Sequence, residues 1–446
     1  MRCVRSIVWL FLGGSCGGGG GDSSHDAAPV LDADADDAGV GDSPVPRQPA
    51  TIRATRRGTA VANLAVLAHD VAGALVAQTT TDASGDATIL VPEGGLLSVV
   101  DDAVTDGAID VFTVGGIESG EALAFALEDS EPAGATVGTA TLTIPSHGPA
   151  FNYQIDAGCF STSAASGTQS VAATIDAQCL DANEKFHVLS KAVNTSIVPL
   201  AWSVLADQPK TTTAATLPAW STTFESVSLT VTGLSQPALV AQLQMELVIG
   251  GIPRFWHFTG GTAGTSPSVV MQVAPGVGTA REWFGRLILP VAGSTERAFY
   301  VRASTPSSTT SVAVDLGVLP AISGLALDVS SSPRVTWTLD GPLGDADAVV
   351  IHTFASGGDR FVRWLAILPP TTPSPYVLPT LPNTIDVAAP GAGDTGSPQV
   401  MVVNAEGIDS PAAFRANAAL WARRALGGPE RAAPAHRLGL SASFLD

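Results

Sequence analysis

Lysine is nearly absent: Lys185, Lys191 and Lys210 are the only three in 446 residues. Charged side chains make up 14% of the chain, against roughly 25% in an ordinary soluble protein. The 22 basic residues are outnumbered by 41 acidic ones, for a formal charge of −19. Nucleic-acid binding needs a basic stripe that displaces counterions from phosphate, and none exists here. The same acidic, lysine-poor composition argues against charge-driven docking on anionic lipid. Without a Gly-Lys pair there is no phosphate-cradling loop, and without His-x-His or Cys-x-x-Cys pairs there is no local zinc site. No metal and no cofactor is expected. Cysteine is scarce too, with only Cys3, Cys16, Cys159 and Cys179.

Gly, Pro, Ser, Thr, Ala and Val fill the deficit, a mixture that favours strands and turns over helices. From residue 51 onward, short alternating apolar runs recur at roughly ten-residue spacing with Gly/Pro/Ser punctuation, as in β-sandwiches. The expected fold is all-β: several consecutive Ig-like sandwich modules after a disordered tether, with one short helix near the C-terminus. The expected divisions are 1–16, a signal peptide; 17–50, a Gly/Asp-rich tether; 51–130, an Ig-like module; 131–215, a sandwich with a disulfide hairpin; 216–326, a sandwich; and 327–446, a sandwich with a helix. For that helix, Asp409 or Ser410 can cap, Pro411 takes the first position, and Gly427 ends the run over 412–425. It is expected to pack on, or cross, the last sandwich.

Residues 1–16 carry Arg2 and Arg5, an apolar run over 7–12, and then Gly13-Gly14-Ser15-Cys16. The run is far short of the ~20 apolar residues needed to span a bilayer. This segment resembles a bacterial lipoprotein leader, with Leu12 one step further from the cysteine than is usual in that family. The resemblance implies cleavage before Cys16 and lipidation of its thiol. Gly17 carries no acidic retention signal, which by the same resemblance leans toward the outer membrane or cell surface. Residues 17–21 are all glycine, and Asp22, Asp26, Asp32, Asp34, Asp36, Asp37 and Asp42 follow. So little apolar surface cannot offset the entropy of ordering. Asp32, Asp34 and Asp36 alternate like a calcium loop but lack its glycine and its downstream glutamate.

With Cys3 removed and Cys16 lipidated, two cysteines remain, an even number in an oxidising compartment. Phe151, Tyr153, Ile155, Ala157 and Cys159 alternate with Asn152, Gln154, Asp156 and Gly158, and Val171, Ala173, Ile175, Ala177 and Cys179 also alternate, so both cysteines are expected on the apolar face of a strand. Pairing these two runs about Gly167 brings Cys159 and Cys179 opposite each other. A bond there would contribute about 3 kcal/mol. A free thiol pair and half of a metal site are the alternatives.

The segment 79–92, TTTDASGDATILVP, follows a strand over 61–67. It resembles the turn of Ig-like, carboxypeptidase-regulatory-like or bacterial Ig-like modules. Gly85 supplies the positive φ such a turn needs. Those modules are generally spacers or adhesive units, so the resemblance implies architecture more than activity.

Three motifs suggest chemistry. Gly13-Gly14-Ser15-Cys16-Gly17 matches a nucleophile elbow but falls across the leader cleavage point. Gly41-Asp42-Ser43 echoes a lipase block inside the tether. Asp394-Thr395-Gly396-Ser397 matches the aspartic-protease signature, but the second copy that would share its proton is absent. No catalytic residue is assigned. Arg254-Phe255-Trp256-His257-Phe258 and Arg281-Glu282-Trp283-Phe284 group aromatics with polar neighbours. Trp256, His257 and Trp283 are therefore a candidate ligand platform, set against the ordinary role of large aromatics as core filler.

The expectation is a non-enzymatic, lipid-anchored protein of the cell envelope with a binding, adhesive or structural role. Its partners would be the membrane, through the anchor, and a surface polysaccharide or envelope protein. The rival is a secreted polysaccharide-binding or polysaccharide-active sandwich protein.

Overall fold

The computed structural model describes residues 47–416 and 437–445, except 57–58, 102–107, 128–135, 149, 158–159, 235, 291–294, 317–318, 330–331, 345, 358–359, 383–384, 386–389, 392–393 and 406–410. The leader, Cys16, most of the tether, Cys159 and Trp421 lie outside the described residues.

Among the described residues the fold is all-β with one short α-helix. The first segment forms β1 (Arg47–Arg56), β2 (Thr59–Ala60), β3 (Ala65–His69), β4 (Leu75–Thr80), β5 (Asp86–Pro92), β6 (Leu96–Asp101), β7 (Ala108–Gly115) and β8 (Ala122–Leu127). The cysteine segment forms β9 (Thr136–Thr143), β10 (Asn152–Asp156), β11 (Ser161–Ala165), β12 (Ser170–Asp176), β13 (Lys185–Val193), β14 (Pro199–Pro209) and β15 (Ala214–Thr216). Next come β16 (Glu225–Thr232), β17 (Val240–Ile249), β18 (Ile252–Gly261), β19 (Ser268–Val273), β20 (Ala280–Ile288), β21 (Thr295–Pro306), β22 (Ser311–Asp315) and β23 (Ile322–Asp328). The rest are β24 (Arg334–Leu339), β25 (Ala348–Gly357), β26 (Arg360–Leu368), β27 (Tyr376–Val377), β28 (Thr395–Ala405), α1 (Pro411–Ala416) and β29 (Arg437–Leu445).

A single 12-stranded sheet, in the order β18-β17-β20-β21-β29-β28-β25-β26-β7-β6-β3-β4, runs through the first, third and last of the expected segments. Its one parallel joint is β26 on β7, from Phe361 opposite Ala108 to Ile367 opposite Val114. Along β6 every residue is buried. Leu96 and Val100 share a core with β16, β19 and β24, while Leu97 and Val99 share another with β1, β5 and β8. The sheet is therefore a middle layer with apolar cores on both faces, and its central strands read as continuous apolar runs rather than alternating ones.

The cysteine segment is a separate sandwich. One sheet runs β11-β10-β13-β14 and the other β12-β9-β15. Here the hairpin expectation is corrected. β10 pairs with β11 and β13, and β12 pairs with β9 in the facing sheet. The turn at Gly167 carries the chain from one sheet to the other, because 161–165 is itself a strand. Tyr153, Ile155 and Ala157 face Ala173, Ile175 and Cys179 across one apolar core. Cys179 sits in a 3₁₀ turn, Ala177–Cys179, rather than on the strand.

Four loops share one five-residue pattern. In Asp70–Ala74, Asp82–Asp86, Asp181–Lys185 and Asn194–Val198, the first side chain accepts N–H bonds from the third and fifth residues. The fourth residue has positive φ: Gly73 at 88°, Gly85 at 75°, Glu184 at 57° and Ile197 at 63°. At Gly85 a Cβ would collide with the Ala54 carbonyl, which explains the glycine expected there.

The helix begins at Pro411, as expected. It packs against the first segment instead of the last sandwich alone. Phe414 enters the core shared with Ile117 and Ala405, and Arg415 bonds Glu118 and Glu121 at 2.9 Å each. The cause is the shared sheet, which places the end of β28 beside that segment.

Candidate functional site

The tryptophans proposed as a ligand platform are core residues. Trp256 and Trp283 are each 0% exposed. Their indole N–H groups donate to the Gln272 carbonyl and to Thr305 Oγ1, both at 2.8 Å. Stacking on a ligand needs an open ring face, and neither ring has one. His257 is half-buried beside them, and burial pushes its imidazole down to about 4, so it is neutral at pH 7. The physical reason is the pleat: Trp283 shares its face with Leu287, and that face is covered by β16 and β19.

Asp394 is also structural. Its carboxylate accepts the Gly391 N–H at 2.7 Å and lies against the Gly357 backbone, where no Cβ would fit. Thr395 and Gly396 then open β28.

A serine–histidine pair, not foreseen in the sequence, crosses the middle sheet. His69 Nε2 lies 3.1 Å from Ser98 Oγ, which lies 2.9 Å from Thr113 Oγ1, which accepts the Trp364 indole N–H at 2.9 Å. His69 and Ser98 are each 0% exposed, and burial drives the imidazole down to about 4. No substrate carbonyl can approach a hydroxyl so enclosed. The row instead satisfies buried polar atoms along four adjacent strands.

Asp181, His187 and Asp207 place one ligand atom each within 4.8 Å of one another. His187 Nδ1 accepts the Asp207 N–H at 3.1 Å, which assigns the ring proton to Nε2. Nε2 then donates to Asp181 Oδ2 at 3.0 Å. Both ring nitrogens are engaged, so the trio acts as a strut. Gly250, at the tip of the β17–β18 hairpin, packs so close to the His187 ring that a Cβ there would collide with it.

That contact is one end of a buried polar seam between the cysteine sandwich and the rest of the protein. Further along β13, Lys191 Nζ donates to the carbonyls of Phe255 at 3.0 Å and Trp256 at 2.5 Å. Burial pushes this ammonium down to about 7. Arg254, 0% exposed, meets Asp156 Oδ1 at 3.5 Å. Burial raises the Asp156 carboxyl, with Arg254 and Lys191 opposing the rise. Glu246 is raised to about 7, first by burial. β18 is the end strand of the long sheet, and Lys191 occupies backbone acceptors that an exposed edge would offer to another chain. Sequence reasoning missed this seam because its members, from Asp156 to Trp256, lie up to about 100 residues apart.

No family model matches this chain, and no curated protein matches it. Among solved structures, the Bacillus anthracis TIE protein aligns over 60% of this chain and 49% of its own, at 9% identity and a TM-score of 0.15. A streptococcal ancillary pilin aligns over 60% of this chain and 99% of its own, at 9% identity and a TM-score of 0.14. The chain spans about half the length of the Bacillus anthracis protein. At such scores neither likeness carries an argument about function.

Proposed function

We propose that this protein is a non-catalytic component of the cell envelope, anchored by lipid at Cys16 and acting as a structural or adhesive body. The observation that carries this reading is the 12-stranded sheet, apolar on both faces along its central strands, which ties the first, third and last segments together. The buried polar groups serve the same end: they join segments instead of converging on an open cleft. A body of this kind holds a surface at a fixed distance from its anchor, and the acidic tether supplies reach through like-charge repulsion. A Cys159–Cys179 disulfide across the cysteine sandwich belongs to the same reading. So does a partner that is a surface polysaccharide or another envelope protein.

The test is the intact mass of the protein extracted from membranes of its native host, before and after reduction and alkylation. The expected mass begins at an acylated Cys16, with no alkylation until the protein is reduced. A mass that retains the leader, or a soluble species with two free thiols, overturns the reading.

A further inference from the structure

The cysteine sandwich is polarised from end to end. In one sheet Asn152 lies opposite Ala165 and Val193, and Val193 opposite Pro199; in the other, Thr143 lies opposite Ser170 at the same end. The β9–β10, β11–β12 and β13–β14 connections meet at this end, and their sequences hold no Asp, Glu, Lys or Arg. Of the charged residues in 136–224, Asp156 and Lys191 lie in the buried seam. The others, Asp176, Asp181, Glu184, Lys185, Asp207 and Lys210, stand at or near the opposite end.

The charge-free end is also apolar. Phe151 is 59% exposed, Ile197 53% and Val198 41%. All three are held in place. The Phe151 N–H donates to the Val193 carbonyl at 2.8 Å, and its carbonyl accepts the Ser166 N–H at 3.2 Å. Asn194 Oδ1 accepts the Ser196 and Val198 N–H groups at 2.9 Å each, with Ile197 between them at a φ of 63°. An exposed β-branched residue in that region is strained and gains little from packing within the chain. One step further in, the half-buried Trp220 stacks on Tyr153 at 5.5 Å, and its indole N–H donates to the Pro145 carbonyl at 2.6 Å.

We infer that this end of the cysteine sandwich inserts Phe151, Ile197 and Val198 into a zwitterionic lipid bilayer. Along the sandwich the order is exposed apolar side chains, then a half-buried tryptophan, then charge. That is the order of a membrane surface from hydrocarbon through interface to water. A second copy of the chain fits less well. A stable protein contact takes roughly 20–30 residues a side, and three side chains fall far short, whereas a bilayer demands no matching shape. The net charge of −19 repels anionic headgroups and leaves a neutral surface as the one the tip can approach. The inference does not depend on the lipid anchor at Cys16.

The test is flotation of the full-length chain with phosphatidylcholine vesicles. Every sample carries Cys3→Ser and Cys16→Ser, so that no lipid is attached, and any contribution from the apolar run over 7–12 is common to all of them. The parent is expected to float with the vesicles. Phe151→Ser should lower its partition coefficient about tenfold, the loss of one inserted ring. Ile197→Gly should lower it severalfold while raising the melting temperature, a combination that a purely structural role would not produce. Lys210→Ala, at the charged end, should leave partitioning unchanged. Equal partitioning of the parent, Phe151→Ser and Ile197→Gly, all folded by circular dichroism, overturns the insertion. So does binding confined to phosphatidylglycerol vesicles, which would assign it to charge. Self-association of the parent without flotation overturns it too, and gives the tip to a second copy.

Discussion

Arg363 and Asp110, 253 residues apart in sequence, stand opposite each other where β26 runs parallel to β7, with Nη2 2.8 Å from Oδ2 and Nε also bonded to Oδ1. The pair sits at the only parallel joint of the long sheet, where the first segment meets the last. The next strand repeats the device. Asp101 lies opposite Asp110, and Arg56 of β1 meets its carboxylate at 2.5 Å. Two neighbouring buried carboxylates are thus held by two arginines from different parts of the chain.

Removing one member of such a pair leaves a poorly solvated charge. Asp110→Ala is expected to lower unfolding free energy by about 3 kcal/mol, and Asp110→Ala/Arg363→Met to recover part of it. Urea denaturation of the two variants checks this. A loss within about 0.5 kcal/mol of zero would mean the joint does not depend on the pair.

Lys191 gives the seam a pH dependence. Its folded pKa, about 7, lies below the ordinary 10.5. The folded state therefore holds fewer protons between those values, and stability rises with pH across that window. The relief is complete above 10.5 and gone below 7. From pH 7 to 9 the gain from this group is on the order of 2 kcal/mol, and Lys191→Met should flatten it. Denaturation at both pH values decides; equal slopes for wild type and variant contradict the assignment.

The four matched loops make an internal comparison. Two carry glycine at the left-handed position, and two carry Glu184 and Ile197. A β-branched residue there is strained, by about 1–2 kcal/mol. Ile197→Gly is expected to raise stability by about 1 kcal/mol, less some backbone entropy. Glu184→Gly should gain less, because Glu184 also meets Lys210 at 2.8 Å on the surface, a pair worth under about 1 kcal/mol. Melting curves that fall for Ile197→Gly would show that the loop is not strained.

Trp283→Ala empties a fully enclosed position and should cost about 3–5 kcal/mol. If the ring is core alone, retention on immobilised polysaccharide should match that of wild type at temperatures where both are folded. A selective loss of retention would restore the platform reading.

The alternating apolar runs, the sparse charge and the turn residues were enough to determine an all-β chain, the positive φ at Gly85, and a helix opening at Pro411. Those features depend on local sterics and on the period of two, which neighbouring residues carry themselves. Trp256 and Trp283 could be read either way, because an aromatic beside polar residues looks the same in sequence whether its face is covered or open. Tertiary structure covered it, by laying β16 and β19 over that face. It also placed β12 in the sheet facing β10, set Lys191 against the β18 carbonyls, and inserted β29 between β21 and β28. Strand pairing is made by backbone groups that every residue possesses, so which strands meet depends on how whole apolar faces are buried, and no local pattern records that.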